Sequence, residues 1–185
     1  IGNWNSDEKV LIIAEIGNNH EGSYTLAEEM IGLAAEAGAN AVKFQTIIPE
    51  KLVSVQQIER IKQLKRFQLS YSEFTSLAES TNKNDVIFLS TPFDIESVLF
   101  LDSIVPAFKI ASGDNDFFPL IKIIAKTGKP IIMSTGLMKM DEVKNSANFI
   151  CNIWDQNNIV QELALLHCVS LYPAPHVDAN LSAIQ

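Results

Sequence analysis

Short apolar runs recur along the chain and alternate with segments of helical spacing. The runs are VLIIAEIG (10–17), AVKFQT (41–46), VIFLST (86–91), AFKIAS (107–112), PIIMST (130–135) and LALLHC (163–168). They are short and rich in Val, Ile, Leu and Phe, which predicts buried parallel strands. The intervening spacing predicts helices over 25–37, 72–81, 94–103, 119–127 and 141–153. Gly38 and Gly128 are natural helix stops. Asp94 is a good N-cap, Ser72 followed by Glu73 opens another helix, and Asp141 with Glu142 suits a helix N-terminus. Residues 47–69 predict a long insertion after the second strand, made of a loop and one helix.

Strict βα alternation implies a parallel sheet covered by helices. An open doubly wound sheet and a closed barrel compete. No G-x-G-x-x-G follows the first strand, which weakens a dinucleotide-binding sheet. Polar residues stand at the C-terminal ends of the strands, where barrel enzymes assemble their sites. The expected fold class is therefore α/β, a (β/α)8 TIM-type barrel that is incomplete in this chain, with about six βα units in one domain.

Composition narrows the partners. The 185 residues are 47% hydrophobic and 19% charged, enough to build a core. A net charge of −8 argues against nucleic-acid and anionic-membrane partners. A small anionic ligand stays compatible, because a few lysines can make a local positive pocket. Cys151 and Cys168 are too few for a disulfide framework, and the first nine residues carry no apolar signal core. A cytoplasmic, soluble protein is the expectation.

Side chains alternate faces along a strand. Lys43 and Gln45 therefore share one face of the second strand, opposite Val42 and Phe44, and Ile13 and Glu15 share a face of the first. The face beneath the helices should be apolar, so Lys43 and Gln45 should point toward the barrel interior, where a lysine is costly unless it meets an anion. Lys109 takes the equivalent place on the fourth strand, with Thr91, Ser112, Ser134 and Thr135 at other strand ends. Two cations with hydroxyl donors suit a ligand bearing phosphate and carboxylate. Each lysine could instead pair with a core carboxylate such as Glu15. Glu15 itself could be a base, a metal partner or a lysine counter-ion. Glu15, Lys43, Thr91, Lys109, Ser112, Ser134 and His167 are expected to face one cavity. His20 could be a ligand or a loop hydrogen-bonder, His176 reads as a surface residue, and Met133, Met138 and Met140 read as core filler. The three histidines match no zinc spacing. His167 and Cys168 face opposite ways on their strand, which argues against a nucleophile pair.

AEIGNNHEGS (14–23), AVKFQT (41–46), STPFD (90–94), PAFKIASGD (106–114), KTGKPIIMSTG (126–136) and LLHCVSLYPAP (165–175) occur in order, and together the chain resembles N-acetylneuraminate (sialic acid) synthases and the related spore-coat polysaccharide synthases. The resemblance implies a (β/α)8 barrel followed by a small antifreeze-like domain, with the last strands and that domain lying after Gln185. It implies condensation of phosphoenolpyruvate with an N-acetylated amino sugar such as N-acetylmannosamine, assisted by a divalent metal, Mn2+ or Mg2+, in a homodimer. By the same resemblance Lys43, Thr91, Lys109, Ser112 and Ser134 hold phosphoenolpyruvate and Gln45 lies beside it. Glu15 is the catalytic carboxylate, and Ser170 and Tyr172 line the sugar site. Ser170 replaces a common Asn, Asp114 a commoner Glu, and Phe44 an occasional His, which bears on the sugar. The family's metal-binding histidines belong to strands seven and eight, so no metal ligand is assigned here and this chain alone is not expected to turn over. Two other classes compete with the synthase. One is a Schiff-base aldolase-like lyase, which needs one neutral lysine. The other is a non-catalytic sugar-phosphate-binding protein.

Overall fold

The computed structural model describes residues 1–2, 4–5 and 7–184. The predicted alternation is present, in two compact units, 1–108 and 109–185. In the first unit, β1 (Ile13–Gly17), β2 (Ala41–Thr46) and β3 (Ile87–Pro92) form a parallel sheet in that order. The second sheet has the order β4 (Phe108–Ile110), β5 (Ile131–Ser134), β6 (Leu163–Leu166), and β5 pairs parallel to β6.

The first sheet lies under α1 (Tyr24–Glu36), α4 (Tyr71–Lys83) and α5 (Ile95–Leu101). Ile31, Val42, Phe44, Phe74, Leu77, Phe88 and Val98 make its core, with Phe44 meeting Phe74 edge-on and stacking on Phe88. Burial of this order contributes roughly 1.5–3 kcal/mol per large side chain before chain entropy is set against it. In the second unit, α6 (Phe118–Lys126) packs on α7 (Met140–Gln156). Leu120, Ile121, Ile124, Ile131, Met133, Ile150 and Trp154 are buried there, and the Trp154 indole donates to Ala125 O at 3.0 Å.

Several local expectations change. The insertion forms two helices, α2 (Pro49–Leu52) and α3 (Ile58–Lys65), because Pro49 at a first helical position starts one and an extended Val53 ends it. α4 is capped by Ser70 rather than Ser72. Ser70 Oγ accepts from Glu73 N, and Glu73 Oε2 accepts from Ser70 N at 2.7 Å, a reciprocal box that Ser72 cannot make. β1 begins at Ile13, not Val10, and Val10 and Ile12 are exposed. Met133 is core, but Met140 opens α7 and is 56% exposed. Leu165 and Leu166 of β6 are partly exposed, where a buried strand is expected; β6 is the last strand of its sheet among the described residues.

Candidate functional site

The pairing register aligns the first unit's polar side chains. Glu15 stands opposite Lys43 and Gln45 opposite Thr91, so the four share one face of the sheet. The other face carries Val42, Phe44 and Phe88 under the helices. Lys43 is 4% exposed. Its Nζ lies 2.9 Å from Glu15 Oε2 and donates to Thr91 Oγ1 at 3.1 Å. The carboxylate side chain is 59% exposed, so the pair joins a buried ammonium to a solvent-facing anion. With its carboxylate in solvent, such a pair contributes about 1 kcal/mol or less. The counter-ion alternative for Lys43 is thus present in the structure, and the open carboxylate leaves it reachable by a ligand. Gln45 is half-buried, and its Oε1 accepts from Asn18 Nδ2 at 2.8 Å, tying the loop after β1 to β2.

That loop is tightly built. The β1–β2 register slips between Glu15 and Gly17, a bulge directly after Glu15. Gly17, Glu21 and Gly22 have positive φ. His20 is fully buried, 6.0 Å from the Phe44 ring, and its Nδ1 accepts from Gly22 N at 3.1 Å. It is therefore a loop hydrogen-bonder, placed on the helix-facing side of the sheet. Burial lowers its pKa, and the Glu73 carboxylate pulls the other way.

The second unit holds another cation. Lys109, 7% exposed, donates to Ser134 Oγ at 2.6 Å and to Ile110 O at 3.3 Å. Ser112 Oγ accepts from Gly136 N at 3.2 Å, and a Cβ at Gly136 would collide with the hydroxyls of Ser112 and Ser170. Two of the predicted serines thus stand beside one glycine, Ser112 on its amide and Ser170 on the side where a Cβ would lie. Asn115, a loop residue that follows no pattern along the chain, braces this region. Its Nδ2 donates to Ser134 O and Gly136 O, and its carbonyl accepts from Ser146 Oγ. Ser112, Asn115 and Ser146 also line a cavity of ≈ 390 Å³ with Asp116, Met138 and Glu142.

Asp114 is a second carboxyl of interest. Its Oδ2 is buried with no partner among the described residues, and burial, helped by the Asp116 charge, raises its pKa to about 6. A carboxyl that exchanges its proton near neutral pH is suited to acid–base work. The sequence offered it only as an Asp in a position where Glu is commoner.

Other expected residues fall elsewhere. His167 does not join the Lys109 cluster. It is exposed, with Nε2 2.6 Å from Ala179 O. Tyr172 is 97% exposed and precedes a cis proline. His176 is exposed in a short 3-10 turn. Among the described residues no three His, Cys, Asp or Glu side chains group into a metal-holding set, and no helix is long and apolar enough to cross a membrane.

Comparison with known proteins gives a consistent result. The model of the NeuB family matches residues 30–185. The chain is 37% identical over 192 residues to an N,N'-diacetyllegionaminic acid synthase of Campylobacter jejuni, covering 96% of this chain and 57% of that protein. It is 34% identical to the spore coat polysaccharide biosynthesis protein SpsE of Bacillus subtilis, covering 96% of this chain and 49% of that protein. A crystal structure of N-acetylneuraminic acid synthetase from Leptospira borgpetersenii, in complex with citrate, superposes with a TM-score of 0.90 at 36% identity, covering 100% of this chain and 63% of that one. The chain spans about half the length of the curated relatives it matches.

Proposed function

Because this chain belongs to the NeuB family, we propose that the full-length protein is a nonulosonic (sialic-type) acid synthase. It condenses phosphoenolpyruvate with an N-acetylated amino sugar such as N-acetylmannosamine, takes up water and releases phosphate. A complete (β/α)8 barrel, a homodimer, a cytoplasmic location and a divalent cation, Mn2+ or Mg2+, belong to the same proposal. The described residues do not assemble a metal site.

The observation that carries the reading is the Lys43 arrangement: a buried ammonium, fixed by Thr91, beside a carboxylate open to solvent on the same sheet face. A buried cation is expensive without an anion. The half-exposed Glu15 neutralises it only partly, which leaves room for a ligand anion. Lys109 with Ser134, and the Ser112–Gly136 contact, supply the same donor chemistry in the second unit. Each lysine offers a cation to the phosphate or the carboxylate of phosphoenolpyruvate. C3 of the enol attacks the open-chain aldehyde carbon; the enol π pair forms the C–C bond, and the carbonyl π pair moves to the aldehyde oxygen, which takes up a proton. Water adds to the cationic C2 and gives up one proton, which balances the one taken up. The C2–O bond to phosphate then breaks with its electron pair leaving on phosphate, while the C2 hydroxyl forms the carbonyl and releases its proton to phosphate. Glu15, whose carboxylate is accessible, orients that water or takes its proton.

The test uses phosphoenolpyruvate carrying 18O in its bridging position. C–O cleavage sends the label out with inorganic phosphate. Label retained in the sugar acid would show P–O cleavage and sink the mechanism. Borohydride trapping of the protein on the amino sugar or on pyruvate should give no adduct; an adduct would favour the Schiff-base lyase.

A further inference from the structure

We infer that His20 is a positioning residue for Glu15: held as the neutral Nε2–H tautomer, it locks the loop after β1 and thereby fixes the bulge that aims the Glu15 carboxylate at Lys43. The inference rests on the catalytic reading of Glu15 above. Four observations carry it. Gly22 N donates to Nδ1, so Nδ1 holds no proton and a neutral ring carries its hydrogen on Nε2. Nε2 is buried with no partner among the described residues, so the ring acts through Nδ1 alone. The ring lies by Phe44, the residue opposite Gly17 in the register, on the face turned away from Glu15 and Lys43. His20 therefore lies beside the β2 position that faces the bulge, and not on the Glu15 face. The fourth is the lack of slack around Gly22: its φ is +82°, and a Cβ there would run into the Arg66 carbonyl.

The loop bonds to itself at each step. Asn19 N donates to Ile16 O, Glu21 N to Asn18 O, and Ser23 N to His20 O. Asn18 reaches across to Gln45, on the ligand face. A bulge re-aims the side chain beside it, and Glu15 is the residue beside this one. Protonating Nδ1 would replace the acceptor for Gly22 N with a second donor and put a charge in a buried place. The tautomer and the loop geometry are thus one state. Burial lowers the basicity of the ring and favours that state at neutral pH, although Glu73, which faces it from α4, opposes the effect.

The experiment compares His20→Leu, His20→Gln and His20→Asn in the full-length protein. The Asn carbonyl takes the place of Nδ1 and accepts from Gly22 N, whereas the Gln amide reaches the Nε2 position instead. The Leu and Gln variants should lose about tenfold to a hundredfold in kcat, the scale of a small misplacement of a reacting group, with KM for phosphoenolpyruvate within about twofold. The Asn variant should recover most of the loss. In parallel, 15N NMR of wild-type His20 should show a pyridine-type Nδ1, and the Glu15 carboxyl 13C resonance should move in the Leu and Gln variants and return in the Asn variant. A protonated Nδ1, equal behaviour of Asn and Gln, or lowered Tm with kcat unchanged would overturn the inference. If wild type makes no product, the proposed function fails, while the NMR measurements still decide the role of His20.

Discussion

Replacing Lys43 with methionine separates a ligand-binding lysine from a structural one. Methionine keeps an unbranched apolar stem but removes the ammonium. The structural loss is small. The Lys43–Glu15 pair spans 2.9 Å, but the carboxylate side chain is 59% exposed and returns to water when its partner goes. Such a half-exposed pair is worth about 1 kcal/mol or less. Removing a cation that is 4% exposed also relieves its desolvation, which offsets part of that loss. The hydroxyl of Thr91 loses one bond, about 1 kcal/mol. The net change should therefore be within about 1 kcal/mol, or about 2–4 °C in Tm for a chain of this size. The binding loss should be far larger. Truncating one partner of a desolvated charge contact costs about 2–5 kcal/mol, which is roughly a thirtyfold to several-thousandfold rise in Kd. Calorimetric titration of phosphoenolpyruvate and a thermal melt on the same variant read both numbers. Near-wild-type affinity would refute the anion-site reading. So would a fall in Tm of about 10 °C with affinity falling in step, since that would make Lys43 a fold determinant.

Lys109→Met should weaken phosphoenolpyruvate binding by a similar about 2–5 kcal/mol, read by the same titration. Glu15→Gln should leave that binding nearly intact while turnover collapses, because an interaction made mainly in the transition state lowers kcat rather than affinity; an unchanged kcat discards the catalytic role. Gly136→Ala should destabilise the protein by about 1–3 kcal/mol, because the new methyl displaces the Ser112 and Ser170 hydroxyls, and Ser112→Ala in the same chain should restore part of the loss in urea unfolding. Asp114→Asn should stabilise the protein in a pH-dependent way. The folded pKa, about 6, lies above the ordinary 3.8, so the native state binds more protons between those values and wild-type stability falls as pH rises through them. Allowing for solvent screening, the advantage of Asn should be about 1–2 kcal/mol at pH 8 and nearly absent at pH 4; equal differences at both values would refute the assignment.

Much of this was readable in the chain because strand parity is a strong rule. One lysine between Val42 and Phe44 must face away from the helices, and the register then brings Glu15 and Thr91 to its side without further information. Asp94 was legible for a similar reason, as a side chain whose oxygen accepts from Ser97 N one turn on. The capping of α4 was legible in the spacing, since Ser70 stands three residues before Glu73, the interval a reciprocal box needs, and Ser72 does not. His167 differs from the parity expectation: it lies just past the end of β6, and its Nε2 meets the Ala179 carbonyl.

Asn115 and His20 show where pattern reading stops, and why. Neither follows a period. Each is a polar residue in a loop whose value comes from which backbone groups it meets: Ser134 O and Gly136 O for Asn115, Gly22 N for His20. Those partners are set by loop geometry, and here the geometry depends on positive-φ positions such as Gly17 and Gly22. A loop after a strand has no apolar face to bury, so its shape has to be specified by hydrogen bonds from inside. The residues that specify it are consequently buried and polar. In the first unit this gives an ordered dependence. The β2 core residue Phe44 supports His20, His20 holds Gly22, and the closed loop fixes the bulge beside Glu15. Lys43, on the opposite face of the same strand as Phe44, is held by that strand directly. Loosening the loop should therefore disturb the carboxylate before it disturbs the cation, which is why turnover and phosphoenolpyruvate affinity are expected to separate when His20 is changed.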